Sequence, residues 1–216
     1  MASSGRGRFI TLEGGEGAGK STQAKMLAEW LGSQGIAVDT TREPGGSPGA
    51  ELIRGLLVTG DVGRWDPLSE TLLHAAARHD HLVRRIMPAL EAGRWVICDR
   101  FFDSTLAYQG YGLGVSHATI AQLRAFAVGN FVPDLTLVLD VSPGTRRART
   151  AGRPGNEDRY ERMDEAFHER VRSGFKAIAA SEPGRCVTID ADPPADRVAE
   201  ATRSAVFLKF RDRLPG

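Results

Sequence analysis

Cysteine is nearly missing from this chain: two residues, Cys98 and Cys186, among 216. Neither has C-x-x-C spacing and both fall inside apolar runs, which argues against a disulfide framework or a metal-thiolate site. Each reads as a small hydrophobe in a buried strand. An excess of one charge is missing too. With 28 basic residues against 27 acidic ones, no global field draws the chain to nucleic acid or to an anionic membrane. Any anion binding must be arranged locally. Long apolar runs are also absent. Met1 to Gly7 is short and rich in glycine and serine, without the apolar stretch of a signal peptide, and nothing approaches membrane-spanning length. These absences lead to the expectation of a cytoplasmic, reducing location with no membrane and no nucleic-acid partner. What is present, 41% hydrophobic residues, suffices for one sizeable core, and the length fits a single domain over residues 1–216.

Five short β-rich runs punctuate the chain: Arg8 to Glu13, Ile36 to Arg42, Trp95 to Asp99, Asp134 to Val141 and Arg185 to Asp190. Four are nearly continuous in apolar residues, as strands covered on both faces are; Ile36 to Arg42 is more mixed. Segments of helical period separate them. The alternation predicts an α/β fold with a mainly parallel sheet. One helix is expected from about Gly19 to Ser33, stopped by Gly35. From Leu68 to Leu90 the apolar residues fall in one arc at helical spacing, with His74, Arg78, His81 and Arg85 opposite. That opposite stripe fits a solvated face or the wall of a ligand cleft. From Thr145 to Arg162 arginine and glycine crowd together, without the apolar residues to pack firmly, so a mobile surface excursion is expected, with helical period resuming near Arg159 and running to about Ala180.

The run Gly14-Gly15-Glu16-Gly17-Ala18-Gly19-Lys20-Ser21 satisfies G-x-x-x-x-G-K-[ST] between a predicted strand and a predicted helix, the context this motif requires. Glycines let the backbone turn its N–H groups around phosphate oxygens, and the helix N-terminus adds partial positive charge. Gly14 to Ser21, with Thr22, is therefore the expected ATP site. Lys20 would reach the terminal phosphates and Ser21 would offer its hydroxyl to Mg²⁺. Asp99, at the carboxyl end of a strand, borders the ligand crevice of an open sheet and is the second expected metal residue. No N/T-K-x-D guanine signature follows the fourth strand, so a GTPase is disfavoured. Arg54, Arg78 and Arg100 are the planar, permanently charged donors that an anionic acceptor calls for.

Three segments, Glu13 to Ser21, Thr41-Arg42-Glu43-Pro44-Gly45-Gly46, and Asp99-Arg100-Phe101-Phe102-Asp103-Ser104-Thr105-Leu106-Ala107-Tyr108-Gln109-Gly110, resemble the thymidylate kinases in order and separation. With the arginine-rich stretch and Asp158-Arg159-Tyr160-Glu161, the resemblance covers residues 8 to 190. It implies a P-loop nucleoside-monophosphate-kinase fold, a five-stranded parallel sheet flanked by helices, with a mobile lid at about residues 143–160. It also implies phosphoryl transfer from MgATP to dTMP in a homodimer. By the same resemblance Glu16 faces the acceptor sugar and the metal region, and Arg54 and Arg100 hold the acceptor phosphate. Arg78 and Thr105 read the thymine edge, Tyr108 and Gln109 lie against base and deoxyribose, and Glu43 organises the acceptor site.

Members of this family carry a basic residue in the P-loop, at the position of Gly17, or else place arginines in the lid. Gly17 puts this chain in the second group, so Arg149 and Arg153 join Lys20 and Arg100 as the expected catalytic residues. Their R-x-x-x-R spacing would set both on one helix face. One departure concerns the base. His74 stands where the family usually has a phenylalanine that stacks on thymine; imidazole can also stack, with an expected sensitivity to pH near neutrality. That change keeps a kinase for another nucleoside monophosphate or a deoxynucleoside open as an alternative, and a non-catalytic ATP-binding switch as a remote one.

Overall fold

The structure, a computed structural model, describes residues 5–151 and 159–214. Five strands, β1 (Phe9–Glu13), β2 (Val38–Arg42), β3 (Trp95–Asp99), β4 (Leu135–Asp140) and β5 (Cys186–Asp190), form one parallel sheet in the order β2-β3-β1-β4-β5. The helices are α1 (Lys20–Ser33), α2 (Pro48–Val58), α3 (Pro67–His81), α4 (Met87–Glu91), α5 (Phe102–Thr105), α6 (His117–Val128), α7 (Pro143–Thr150), α8 (Glu165–Ser181) and α9 (Ala195–Phe210). Successive strand residues point to opposite faces, and both faces are covered. Ile10, Leu12 and Ile97 pack with Leu27 and Leu31 of α1 and Val206 of α9. Phe9, Val96 and Cys98 turn the other way, onto Leu82, Ile86 and Leu90. Hence the continuous apolar runs. β2 is an edge strand, which accounts for its mixed sequence.

The chain leaves β1 for one side of the sheet and later returns to its other side as β4, so the switch in strand order falls at β1. Ligand crevices in open α/β sheets open at that point, beyond the carboxyl ends of the strands. Glu13 and Asp99 end β1 and β3 there.

Two helical expectations are corrected. The segment 68–90 is not one regular helix. Asp66 caps α3 through the amides of Leu68 and Ser69, and a π-helical turn, Leu82–Ile86, then separates α3 from α4. The two faces of the segment are mixed: of the polar stripe Arg78 and His81 are enclosed, while of the apolar arc Leu68, Leu72 and Val83 are exposed and Leu82, Ile86 and Leu90 are buried. The arginine-rich stretch also departs from a loose excursion. Ser142 caps α7 and Pro143 sits in its first turn, a start signal that outweighs the lack of apolar residues. Helical structure resumes at Glu165, after the Asp164 cap, rather than near Arg159.

Candidate active site

Residues from the three motif segments and from α2 and α3 line one cleft of about 270 Å³. On the P-loop side are Glu16, Gly17, Gly19, Lys20, Ser21 and Thr22; on the other side are Glu43, Arg54, His74, Arg78, Arg100, Thr105, Tyr108 and Gln109. Every residue expected at the acceptor site is thus brought to one cleft. Gly14 and Gly15 line a smaller adjoining hollow, and Ala18 is buried behind the loop. Lys20 Nζ donates to Gly15 O at 2.8 Å. Burial, then the neighbouring Arg100, lowers its pKa. An arriving phosphate would relieve both effects.

Arg100 joins the two sides. It is the one non-glycine residue with positive φ, 72°, among those described. Its Nη1 donates to Gly14 O at 2.9 Å and Ser104 Oγ at 3.2 Å, and Nη2 to Glu16 Oε1 at 2.7 Å and Tyr108 Oη at 3.0 Å. Burial alone would raise the Glu16 carboxyl, but Arg100, Lys20 and the Tyr108 hydroxyl outweigh it and hold the pKa at about 2. Behind Arg100, buried Glu13 accepts from Phe101 N at 2.7 Å and from Ser104 Oγ at 2.6 Å. Asp103 in the same turn is fixed by two Arg185 hydrogen bonds of 2.7 Å.

Arg78 is buried and aimed. Its Nε donates to Glu43 Oε2 at 2.7 Å, Nη1 to Thr105 Oγ1 at 2.9 Å and Nη2 to Phe101 O at 3.0 Å. The second oxygen of Glu43 contacts His81 Nδ1 at 3.0 Å. Glu43 thereby holds both Arg78 and His81. Arg54 Nη1 donates to Pro44 O at 2.8 Å.

His74 differs from expectation in one respect. It lines the cleft and does not simply face water, and its pKa is pushed down to about 3 by burial and by Arg78, Arg159 and Arg100. It therefore stays neutral through the range where a pH response was expected. Its Nε2 lies 2.9 Å from Tyr160 Oη.

Ser21 and Asp99, the residues expected at the metal, lie side by side. Ser21 Oγ donates to Asp99 Oδ2 at 2.5 Å, while Asp99 Oδ1 is buried without a hydrogen-bond partner among the described residues. An unsatisfied carboxylate oxygen beside a hydroxyl suits a hard cation. No group of three or more His, Cys, Asp or Glu gathers for a metal among the described residues. These residues fit Mg²⁺ held largely by phosphate oxygens and water.

The arginines of the 143–160 stretch divide. Arg149 does not line the cleft; it donates to the carbonyls of Ala191, Asp192 and Pro193 at 2.8–3.2 Å. Arg153 lies outside the described residues, and α7 ends at Thr150, so the one-face argument for the pair lapses. Arg146 is the arginine backed onto the P-loop: a Cβ at Gly17 (φ 70°) would come within 3.2 Å of Arg146 O and of Thr150 Cγ2. With α7 so placed, glycine at 17 is a packing requirement as well as the loss of a charge. Arg159, expected at the surface, is 3% exposed. It donates to Leu57 O, Asp61 O and Val62 O at 3.0–3.1 Å and pairs with buried Glu70. Glu70 also accepts from Gln109 Nε2 at 2.7 Å and Tyr160 Oη at 2.8 Å. Sequence reasoning assigned no role to Glu13, Glu70, Ser104 or Tyr160. Tyr160 and Ser104 lay within quoted motifs, but Glu70 sits in a helix with nothing to set it apart.

Fold and site together define a P-loop nucleotide phosphotransferase, with a donor cradle facing an arginine-lined acceptor pocket. Comparison with known proteins narrows the class. The thymidylate kinase family model matches residues 12–202. A thymidylate kinase of Rhizorhabdus wittichii is 56% identical over 86% of this chain and 89% of its own length, and one of Caulobacter vibrioides is 51% identical over 95% and 98%. The crystal structure of thymidylate kinase from Ehrlichia chaffeensis superposes with a TM-score of 0.76 at 38% identity, covering 93% of this chain and 99% of that one. This chain belongs to the thymidylate kinase family.

Proposed function

We propose that this enzyme transfers the γ-phosphoryl group of ATP, with Mg²⁺, to the phosphate of dTMP, giving dTDP and ADP on the route to dTTP. The observation that carries the reading is the opposition, across one cleft, of the complete P-loop and the set Glu43, Arg54, Arg78, Arg100, Thr105 and Gln109. An oxygen of the acceptor phosphate forms a bond to the γ-phosphorus as the bond from that phosphorus to the bridging oxygen of ADP breaks. The attacking oxygen is already anionic, so no general base is assigned. Catalysis is then positioning and charge stabilisation. Ser21 and Asp99 would hold Mg²⁺, which would supply neutralisation of the donor's phosphate charge. Lys20 serves the terminal phosphates. Arg54 and Arg100 hold the acceptor phosphate, and Arg100 spans acceptor and P-loop. Arg78 and Thr105 address the base edge, while Tyr108 and Gln109 flank the sugar and base.

Arg149 and Arg153 are proposed to complete the charge around the transferring group. Arg149 does so only on releasing the three carbonyls it now holds. If so, Arg149→Ala lowers kcat by roughly tenfold or more with little change in the KM for dTMP. A raised KM for ATP at unchanged kcat would instead mark Arg149 as a prop for the Ala191–Pro193 loop. We further propose a homodimer, supported by exposed Leu52 and Leu56 on α2, Leu72 on α3 and Phe126 on α6. A cytoplasmic location is supported by the two free, buried cysteines. The basic test is chromatographic: MgATP and dTMP yield equal amounts of dTDP and ADP, and Lys20→Ala does not. ADP formed without dTDP would sink the proposal.

A further inference from the structure

The Tyr160 hydroxyl sits among three polar side chains: Glu70 Oε1 at 2.8 Å, His74 Nε2 at 2.9 Å and Gln109 Nε2 at 3.4 Å. A phenol has one proton to give. Glu70, ion-paired with buried Arg159, accepts it. At the His74 contact the oxygen must therefore accept, and His74 must donate from Nε2. The depressed basicity of the ring fits this neutral, Nε2-protonated form. A phenyl ring, the family's usual group here, offers no such donor. It would leave the oxygen with the Arg159 guanidinium, already committed to Glu70 and three carbonyls, and with Gln109, whose amide already serves Glu70 at 2.7 Å.

We infer that His74 is a positioning residue for Tyr160: its Nε2–H holds the Tyr160 hydroxyl and so docks the segment Arg159–Met163 on the acceptor cleft before any acceptor binds. Arg159 supplies further anchors of this segment. The Arg159 amide donates to Val58 O at 3.3 Å, and its guanidinium grips the carbonyls between α2 and α3. Tyr160 in turn stands edge-on to Tyr108, with centroids 5.4 Å apart and planes at 84°. Holding one ring therefore sets the other, and the wall beside sugar and base is formed in advance. In place of the aromatic stacking a phenylalanine supplies, this chain gains a preformed pocket, which lowers the ordering cost of binding. The inference rests on the proposed function only in taking this cleft as the acceptor site.

Amide hydrogen exchange on the ligand-free, full-length chain reads the docking directly. Loss of one ordinary hydrogen bond shifts an opening equilibrium about fivefold. His74→Phe is thus expected to speed exchange at the Arg159 and Met163 amides about fivefold, with β1 unaffected. Tyr160→Phe, which also removes the Glu70 contact, should speed it at least as much, and the double variant should not exceed Tyr160→Phe. His74→Gln, which keeps a side-chain N–H donor, should restore much of the protection. Should His74→Phe not fold, Tyr160→Phe set against His74→Gln makes the same comparison. Unchanged exchange in the single variants, or additive effects in the double one, overturns the inference. No substrate enters this measurement, so a preference for some acceptor other than dTMP would count against the proposed function and leave this result standing.

Discussion

Arg100 occupies a left-handed backbone conformation that costs a non-glycine residue of order 1 kcal/mol, and its surroundings impose it. Its amide donates to Leu12 O at 2.9 Å, its carbonyl accepts from Cys98 Sγ at 3.0 Å, and the next amide is fixed by Glu13. Glu13 thus holds the turn that aims the acceptor arginine. Its burial, with Asp103 adding to the effect, raises its pKa to about 8 despite Ser104, Arg100 and the Phe101 amide. The sign of the linkage follows. Between about 4.5 and 8 the folded chain holds a proton there that the unfolded chain releases, so stability is full below that window and is lost as pH rises through it. His74 acts oppositely, adding stability as pH rises from about 3 to 6.5, and contributes no further change above that. The expected result is a melting temperature that falls from pH 6.5 to pH 8 in the native chain and falls less in Glu13→Gln. Parallel declines in the two proteins would refute the assignment. At this scale Glu16, Glu43, Arg100, Thr105, Tyr108 and Gln109 were legible because each sits in a motif whose chemistry is specific. Arg54, His74 and Arg78 were legible only through the family resemblance and the chemistry of an anionic acceptor. Glu13 was not legible, since a strand-end glutamate beside a P-loop looks the same whether it meets solvent or a buried turn.

Between α7 and α8, Arg159 anchors the chain that leads into α8. Its guanidinium meets three backbone carbonyls that no helix or strand satisfies, and Glu70 supplies the countercharge. Removing one partner from a buried pair leaves the other uncompensated, at a cost of about 3–5 kcal/mol. Arg159→Ala is expected to lose that much stability in a urea melt, and also to loosen Tyr160 and Gln109 through the freed Glu70. A loss under 1 kcal/mol would show Arg159 to be a surface residue, as its composition suggests. The strands and α1 were legible because two-faced burial and a cap leave a periodic signature. The π-helical turn at Leu82–Ile86 was not, since it changes hydrogen-bond register without changing residue type. The wet side of α3 was not legible for a related reason: in most helices the charged stripe is the wet one, whereas here Arg78 and His81 close on Glu43 while Leu68 and Leu72 are exposed.

At the scale of the whole molecule the exposed apolar groups bear on the proposed homodimer. Leu52 is 79% exposed, Leu72 49% and Phe126 87%, large apolar groups on α2, α3 and α6 that a monomer would leave in water. Phe126→Glu is expected to halve the mass measured by light scattering, whereas Leu208→Glu, at the exposed end of α9, should not alter it. An unchanged mass in Phe126→Glu would place the interface elsewhere or nowhere. The sheet order puts the P-loop and the Asp99-Arg100 turn at one switch point, so donor and acceptor sites are adjacent by topology before any side chain is considered. Alternation of strand and helix made this layout legible as a class. The identity of the acceptor rests on a few side chains, and His74 is the one that departs from the family. The most direct test of the account is therefore ADP release against dTMP, dUMP, dCMP, dGMP and thymidine under MgATP. The account predicts the highest kcat/KM for dTMP. A clear preference for any other acceptor, or the same ADP release with none, would contradict it.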